Sequence, residues 1–318
     1  MGTRTTGIGR VGDETASVRA PLSAEAARPR ASVSWWGDVW RRFRRQKVSV
    51  AAAIVLACLV LLTVSAPVVA PHDPAKQFRR DGLSALGEPL PPNDRFLLGT
   101  DNLGRDLLSR LLWGGRVSLA IGISASAIVM AIALLLGGIA GFAGAKTDFL
   151  VMRFVDLMLS IPQLFVMLLL VVVLEPGIWV IVLVIAVFGW PYPARVFRSQ
   201  ILSLKEGEFV LAARCIGVPG SRILLRHLLP HLLPLVTVYL ALSVPGAIFA
   251  EASLSFLGLG VPPPDPSWGS MIQDGMAYYR AAPWLVVFPG VAITLTVVSF
   301  NLTANGLREA MDPTRRGR

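Results

Sequence analysis

Few residues in this 318-residue chain combine the types and spacings that chemistry requires. The chain holds no Gly-x-x-x-x-Gly-Lys-Ser/Thr segment to cradle phosphates and no Gly-x-Ser-x-Gly turn to present a nucleophile. Its histidines are His72, His227 and His231, and no carboxylates accompany them at metal-ligand spacing. We therefore expect no metal, no cofactor and no catalytic residue on this chain.

Glu251 is the one acid well inside an apolar stretch, residues 247–256. Ionisable side chains within a membrane are costly, and they normally face a cavity or a partner. Two interpretations are open: Glu251 lines or gates a pathway, or it lies near the outer end of its helix and bonds to helix ends or a neighbouring serine. A proton relay would need a second acid or a histidine nearby, and the sequence shows none. An ion-coupled carrier or a membrane enzyme therefore has little support.

A polar loop, residues 205–227, separates two long apolar runs. Within it, residues 206–216 are predicted to form a helix that Gly217 ends, because glycine is common just past a helix C-terminus. The Pro-Gly pair at 219–220 predicts a turn, after which a second short helix leads to Pro230.

The first helix of this loop carries two small residues, Ala212 and Ala213, which leave a flat surface that another protein could approach closely. The loop could be inert. The interpretation that we favour is that another protein acts on this loop, because a force on it would move both attached apolar segments.

Acidic and basic residues also pair before the second apolar run. Asp101 with Arg105, and Asp106 with Arg110, stand at i,i+4 with the acid leading, the more favourable order on a helix. Leucines recur between them at helical spacing. We therefore predict an amphipathic helix from Asp101 to Leu112, which is either a solvated surface helix or a docking surface.

The elements that would position these residues are membrane-spanning helices. Hydrophobic residues make up 54% of the chain and charged residues 16%, whereas a soluble domain carries about 25% charged residues. A helix crosses a bilayer with about 20 mostly apolar residues. Runs of about this length without Asp, Glu, Lys or Arg lie at 48–70, 117–145, 157–174, 176–194, 228–250 and 285–307. The sequence predicts an all-α membrane protein with six transmembrane helices, the third beginning near Phe149.

Two of these assignments have simpler alternatives. Only a Glu-Pro-Gly turn at 175–177 separates the third and fourth runs, but about 40 apolar residues need two crossings rather than one bent helix. The first run follows residues 1–47, which are too many for the n-region of a signal peptide, so we expect a retained helix.

The distribution of basic residues predicts the orientation. Most of the 30 Lys and Arg residues fall on the side of the N-terminus, and the positive-inside rule makes that side cytoplasmic. An even number of spans then places both termini in the cytoplasm. Topology accounts for the net charge of +10, so nucleic acid is not an expected partner.

The remaining segments follow from composition. Residues 1–34 have no apolar period and are predicted to be a disordered cytoplasmic tail. Residues 35–47 are predicted to be an interfacial amphipathic helix, with Trp36, Trp40 and Phe43 in the lipid headgroups and arginines toward anionic lipid. A charge cluster without a helix is the alternative. The other expected units are an extracytoplasmic segment at 71–114, a five-helix core at 115–308 and a cytoplasmic tail at 309–318.

Small residues recur four apart within the second run: Ser118, Gly122 and Ser126, then Gly137 and Gly141. This spacing allows close approach between helices in a membrane, where no hydrophobic effect drives association. It predicts a packed bundle and no specific partner.

The 205–227 loop resembles the EAA loop of ABC-importer permeases, Glu-Ala-Ala-x3-Gly-x9-Ile-x-Leu-Pro. Ala212, Ala213, Gly217, Leu229 and Pro230 stand at the matching positions, while Leu211 and His227 replace the Glu and the Ile. Residues 98–110, 251–269 and 301–312 are similar to further signatures of dipeptide/oligopeptide permeases of the C-subunit type, with Asn305 in place of an expected Asp. The resemblance covers residues 36–313.

The resemblance implies a type I ABC importer permease in the inner (plasma) membrane, which forms one pathway with a homologous permease subunit. Two ATPase domains, which carry the ATP and Mg²⁺, would each grip one EAA loop, and an extracytoplasmic binding protein would deliver di- or oligopeptides. Nickel chelates or another small solute are the alternative substrates, because permeases of this branch look similar.

It also implies roles for individual residues. The expected contacts to an ATPase are Glu208, Leu211, Ala212, Ala213, Gly217 and Pro230. The expected extracytoplasmic docking residues are Gly99, Thr100, Asp101, Gly104, Arg105 and Asp106.

Overall fold

The computed structural model describes residue 2 and residues 35–311, and these residues form helices without a β-strand. The first eight helices are α1 (Trp35–Arg45), α2 (Lys47–Val64), α3 (Ala66–Val69), α4 (Leu107–Phe142), α5 (Ala145–Ser160), α6 (Gln163–Leu174), α7 (Ile178–Gly189) and α8 (Pro191–Leu204). The next five are α9 (Glu208–Cys215), α10 (Gly220–Ile223), α11 (Leu229–Phe256), α12 (Trp268–Gly275) and α13 (Trp284–Met311). A π-helical turn, Leu224–Leu228, joins α10 to α11.

Within the described residues, four helices are long and apolar enough to cross a membrane: Lys47–Val64, Leu107–Phe142, Gly220–Phe256 and Trp284–Met311. Two bent pairs, α5 with α6 and α7 with α8, pass the same test together, and counting each pair as one span makes six. This confirms the predicted all-α architecture with six spans. The longest helix, α4, has 36 residues, and at 1.5 Å per residue it is about 54 Å long.

The third predicted span is not one straight helix. The run at 157–174 crosses a break at Ile161 and Pro162, where α5 and α6 meet at 86°. A proline lacks the N–H that a continuing helix needs, and it forces the preceding residue into an extended conformation. Hydropathy does not register this break. Opposite it, α7 and α8 bend by 45° at Pro191, and the Gln163 side-chain amide donates to the Phe188 carbonyl across 3.1 Å.

The predicted small-residue contacts form around α4. A methyl group added at Gly137 would lie 2.5 Å from the Ala194 carbonyl oxygen of α8. One added at Gly122 would lie 2.5 Å from the Ile248 side chain of α11. Gly141 is in similar close contact with α8. The glycines therefore set the distance between α4 and its two main neighbours.

The N-terminal helix packs differently from the prediction. It does form, but Val39 and Phe43 are buried against Ala310 near the end of α13, whereas Trp40 is 60% exposed. The Trp40 and Phe43 rings do stack, with centroids 6.1 Å apart, but the expectation that Phe43 lies in the lipid headgroups was wrong, because α13 covers it. The side chain of Trp36, the tail predicted over residues 1–34 (residue 2 aside) and residues 312–318 of the other tail lie outside the described part of the chain.

Candidate functional site

The helix predicted in the 205–227 loop is α9, and its C-terminus has a defined hydrogen-bonded end. Gly217 has φ +77°, the left-handed conformation that glycine adopts without a steric penalty. Its N–H donates to the Arg214 carbonyl at 3.0 Å, and the Val218 N–H donates to the Ala213 carbonyl at 3.1 Å. These two bonds make a Schellman motif. The predicted end at Gly217 agrees with the structure, although α9 is shorter than residues 206–216.

Two residues of α9 face inward. Val210 and Ala213 are buried in a cluster with Ile201 of α8, Ile223 of α10 and Leu232 of α11, together with Leu228. The i,i+3 spacing of Val210 and Ala213 is the sequence signal for this inner face.

The other expected coupling residues face outward. The exposed members of that set are Glu208, Leu211, Ala212, Gly217 and Pro230. Ala213 differs from them because it lies inside the protein, so it supports the helix instead of presenting a surface. Ile216, 81% exposed, extends the outward face and was not among the predicted residues.

The loop is attached to the end of α4 that carries Phe142. The Lys205 ammonium donates to the Gly141 carbonyl at 3.3 Å, and Gly220 lies against the Phe142 ring. The π-helical turn then leads into α11 at Pro230, whose missing N–H interrupts the regular helical ladder. Displacement of α9 would therefore act on α4, α8 and α11 together.

The opposite end of α4 holds an ionic cluster of Asp101, Arg105, Arg110 and Asp274, which we call the external ionic cluster. Its first three members are buried, and the Asp274 side chain is 37% exposed. The Asp101 carboxylate accepts from Arg105 Nε at 2.6 Å and lies 3.2 Å from Arg110 Nε. Arg105 and Arg110 approach Asp274 of α12 at 3.8 and 3.7 Å. The cluster joins the segment before α4 to α12.

The helix predicted from Asp101 was wrong in its first half. Asp101 accepts from the backbone N–H groups of Leu103 and Arg105, both at 2.9 Å, and this closes a turn instead of a helix. The helix begins at Leu107, where Asp106 caps it by accepting from the Ser109 N–H at 3.0 Å. The expected Asp106–Arg110 pair is replaced by this cap, because a capping carboxylate points along the helix end.

Burial also acts on Asp274, which lies outside the spans. It raises the pKa of the Asp274 carboxyl above its usual range, although Arg110 and Arg105 oppose the shift. Removal from water disfavours the charged form of an acid.

All six expected docking residues are buried in this chain. Thr100, for example, has no exposed surface, and its hydroxyl donates to the Gly82 carbonyl at 2.6 Å and accepts from the Leu90 N–H at 2.8 Å. The six residues brace the turn before α4 and do not form its outer surface. Leu103, at the tip of this turn, is 43% exposed.

Glu251 is also completely buried, between α4, α11 and α12. Its carboxylate accepts from the Ser118 hydroxyl at 3.1 Å and from the Ser255 hydroxyl at 2.7 Å. Ser118 in turn accepts from the backbone N–H of Trp268, and Ser255 lies 3.4 Å from the Ser267 hydroxyl. Of the two interpretations drawn from the sequence, this geometry matches the one in which Glu251 bonds to a neighbouring serine, and Ser118 links it to the start of α12.

No grouping of three or more His, Cys, Asp or Glu side chains suited to a metal ion occurs in the part of the chain that the structure describes. His231 Nδ1 lies 2.6 Å from the His227 carbonyl oxygen, so that nitrogen is occupied by a bond within the helix. A carbonyl oxygen only accepts, which means that His231 Nδ1 carries the hydrogen.

Helices of membrane-spanning length, with a short helix in the loop between the fourth and fifth spans, define a multi-pass membrane protein. The chain belongs to the family of binding-protein-dependent transport system inner membrane components, which matches residues 133–317. Residues 34–92 match the N-terminal TM domain of oligopeptide transport permease C. The protein is therefore a permease subunit with the type I ABC permease fold, located in the inner membrane, and not an enzyme.

Named relatives are similar over most of their length. The chain is 38% identical over 285 residues to the oligopeptide transport system permease protein OppC of Bacillus subtilis, covering 90% of this chain and 92% of that one. It is 38% identical to the dipeptide transport system permease protein DppC of the same organism, covering 90% and 88%. It is 40% identical to the glutathione transport system permease protein GsiD of Escherichia coli O157:H7, covering 89% and 91%.

Proposed function

We propose that this chain is one of two homologous permease subunits that form the pathway of an ATP-driven importer for di- and oligopeptides. The observation that carries the proposal is the exposed helix α9, whose buried face joins three other helices while its outer face is free in this chain. The peptide substrate is supported by relatives whose names specify oligopeptide, dipeptide and glutathione transport.

In this proposal α9 is the coupling helix. Each of two partner ATPase domains, which hold the ATP and Mg²⁺, grips one such helix, and this chain itself carries no cofactor. Glu208, Leu211, Ala212 and Pro230 contribute to the gripped surface, and Gly217 gives the helix its fixed end. Closure of the ATPases displaces α9, and the attachment through Val210 and Ala213 passes that displacement to the spans, which gives alternating access.

The opposite end of the bundle would receive an extracytoplasmic binding protein. Because the six residues first expected to dock there are buried, we assign them a bracing role and propose exposed neighbours as the contact surface. Leu103, Met276 and Tyr279 are apolar side chains outside the spans, and they are 43%, 43% and 51% exposed. Asn102 and Asp274 line one small cavity, which places the tip of the turn beside the end of α12.

Glu251 is proposed to tie helices together and not to gate the pathway. It has no exposed surface, and its hydrogen bonds connect α4 and α11, with α12 attached through Ser118. A movement of α12 would therefore be transmitted to two spans, α4 and α11.

Both termini are proposed to be cytoplasmic. The basic residues support this orientation, and α1 then lies at the inner membrane surface with Arg41, Arg44 and Arg45 exposed to anionic lipid headgroups. A single cysteine at position 212, in a chain whose exposed Cys58 and Cys215 are replaced, reports the side of α9. Labelling of that cysteine from the outside would reject the orientation.

The central experiment is uptake by the purified complex of this chain with its partner subunits in proteoliposomes. We expect ATP-dependent accumulation of labelled di- or oligopeptide that requires the binding protein and is competed by unlabelled peptides. Co-isolation of ATPase subunits should accompany it. Uptake of nickel chelates that peptides do not compete would assign the other substrate class, and isolation without any ATPase would reject the importer.

A further inference from the structure

One contact between α9 and the fifth span lies outside the matched loop motif. The rings of Phe209 and His231 are stacked, with centroids 5.0 Å apart and planes 17° from parallel. Phe209 is the second residue of α9, and His231 is the third residue of α11. The contact therefore joins the proposed coupling helix directly to the helix that follows the loop.

The His231 ring is held in place from its own helix. Its Nδ1–H donates to the His227 carbonyl at 2.6 Å, which fixes the plane of the imidazole. A phenyl ring in its place would retain the stacking face but not this bond, whereas an alanine would remove both.

The stack adds a restraint that the buried face of α9 does not supply. At about 100° per residue, Val210 and Ala213 lie about 60° apart around the helix, so they support only a narrow strip of it and the helix could roll about that strip. Phe209 points about 100° away from Val210 around an α-helix. Support at Phe209 therefore opposes this roll and sets which residues of α9 face outward.

We propose that His231 is a positioning residue that fixes the orientation of α9 and transmits its displacement to the fifth span. The transmission step rests on the proposed function, whereas the fixed orientation is a property of the chain. Leu233, two residues further along α11 and 56% exposed, is a matched position without this contact.

Hydrogen exchange tests the orientation in the assembled complex. In His231→Ala, the amides of residues 208–215 should exchange about fivefold faster or more, because local opening becomes easier. In His231→Phe and in the control Leu233→Ala, they should stay within about twofold of the unmodified protein. The proposal is overturned if His231→Ala leaves exchange unchanged, if Leu233→Ala accelerates it equally, or if His231→Phe behaves like His231→Ala.

Coupling is tested by the amount of peptide taken up for each ATP hydrolysed. Phe209→Ala and His231→Ala should each lower this ratio by about fivefold, and the double variant should lose no more than either alone, because both remove one contact. Fully additive losses would contradict a shared contact. If the unmodified complex hydrolyses ATP but transports nothing, the proposed function fails, while the exchange result still decides the role of His231 in orientation.

Discussion

Glu251 and Ser118 lie 133 positions apart in the sequence, and a hydrogen bond of 3.1 Å joins them inside the protein. Its two carboxyl oxygens have different partners, the Ser118 hydroxyl at 3.1 Å on one and the Ser255 hydroxyl at 2.7 Å on the other. Because Ser118 also accepts from Trp268, the bond extends the connection from α4 and α11 to α12.

Removal of this acceptor should destabilise the protein. In Glu251→Ala, two buried hydroxyls lose their acceptor and a cavity opens, so we expect a loss of about 2–4 kcal/mol in unfolding free energy. The thermal midpoint of the purified complex measures it. Ser253→Ala is the control, because its exposed hydroxyl bonds only to the Phe249 carbonyl of its own helix. A variant with unchanged midpoint and altered uptake would instead favour the gate interpretation.

A side chain at position 217 should separate assembly from transport. Gly217→Val forces a β-branched residue to φ +77°, which costs on the order of 1–3 kcal/mol and disrupts the end of α9. We expect ATP-dependent uptake to fall about tenfold or more while the subunits still co-purify. Gly177→Ala is the control, since φ −170° is extended backbone and an added methyl group meets open space. Normal uptake in Gly217→Val would count against the coupling role of α9.

Two adjacent glycines of α4 should respond differently to the same added methyl group. Gly137→Ala brings a carbon within 2.5 Å of the Ala194 carbonyl oxygen, so α4 and α8 must move apart, at a cost of about 1–3 kcal/mol. Gly138→Ala places its carbon 3.7 Å from Ile201, an ordinary contact, and should be neutral or slightly stabilising. Thermal unfolding of the two variants compares them directly. Equal midpoints would show that the two helices do not pack this closely.

Asp274 should make the stability of the external ionic cluster depend on pH. Its pKa is raised by burial above the ordinary value of 3.8, so the folded state binds a proton more readily than the unfolded state. The contribution of Asp274 to the free energy of unfolding is therefore complete below pH 3.8, and it is lost as the pH rises through the raised pKa. Relative to Asp274→Asn, the unmodified protein should lose stability across this window. A constant difference in thermal midpoint between the two proteins over that range would contradict the shift.

The exposed turn before α4 should affect how strongly the binding protein stimulates ATP hydrolysis. Leu103→Asp places a charge on the proposed contact surface, so the binding protein should stimulate ATP hydrolysis about fivefold less, while basal hydrolysis is unchanged. Leu86→Asp is the matched control, because Leu86 is 86% exposed in the same segment. Equal stimulation in both variants would move the docking surface elsewhere.

Local sequence patterns were sufficient for the six spans, the end of α9 at Gly217 and the close approach at Gly122 and Gly137. Each of these depends on neighbours in the chain: hydropathy over a window, the φ preference of glycine, and the four-residue repeat of a helix face. The family resemblance was likewise carried by short motifs in a fixed order.

Contacts between distant segments required the folded chain. The acid–base pattern from Asp101 onward indicated a helix, but long-range packing buried these groups, so that Asp101 closed a turn and Asp106 capped α4. The bond between Glu251 and Ser118, the burial of Phe43 against α13 and the stacking of Phe209 on His231 all join residues from different helices. Hydropathy averaged over a window does not show which helices become neighbours, because this depends on how all the helix faces pack together.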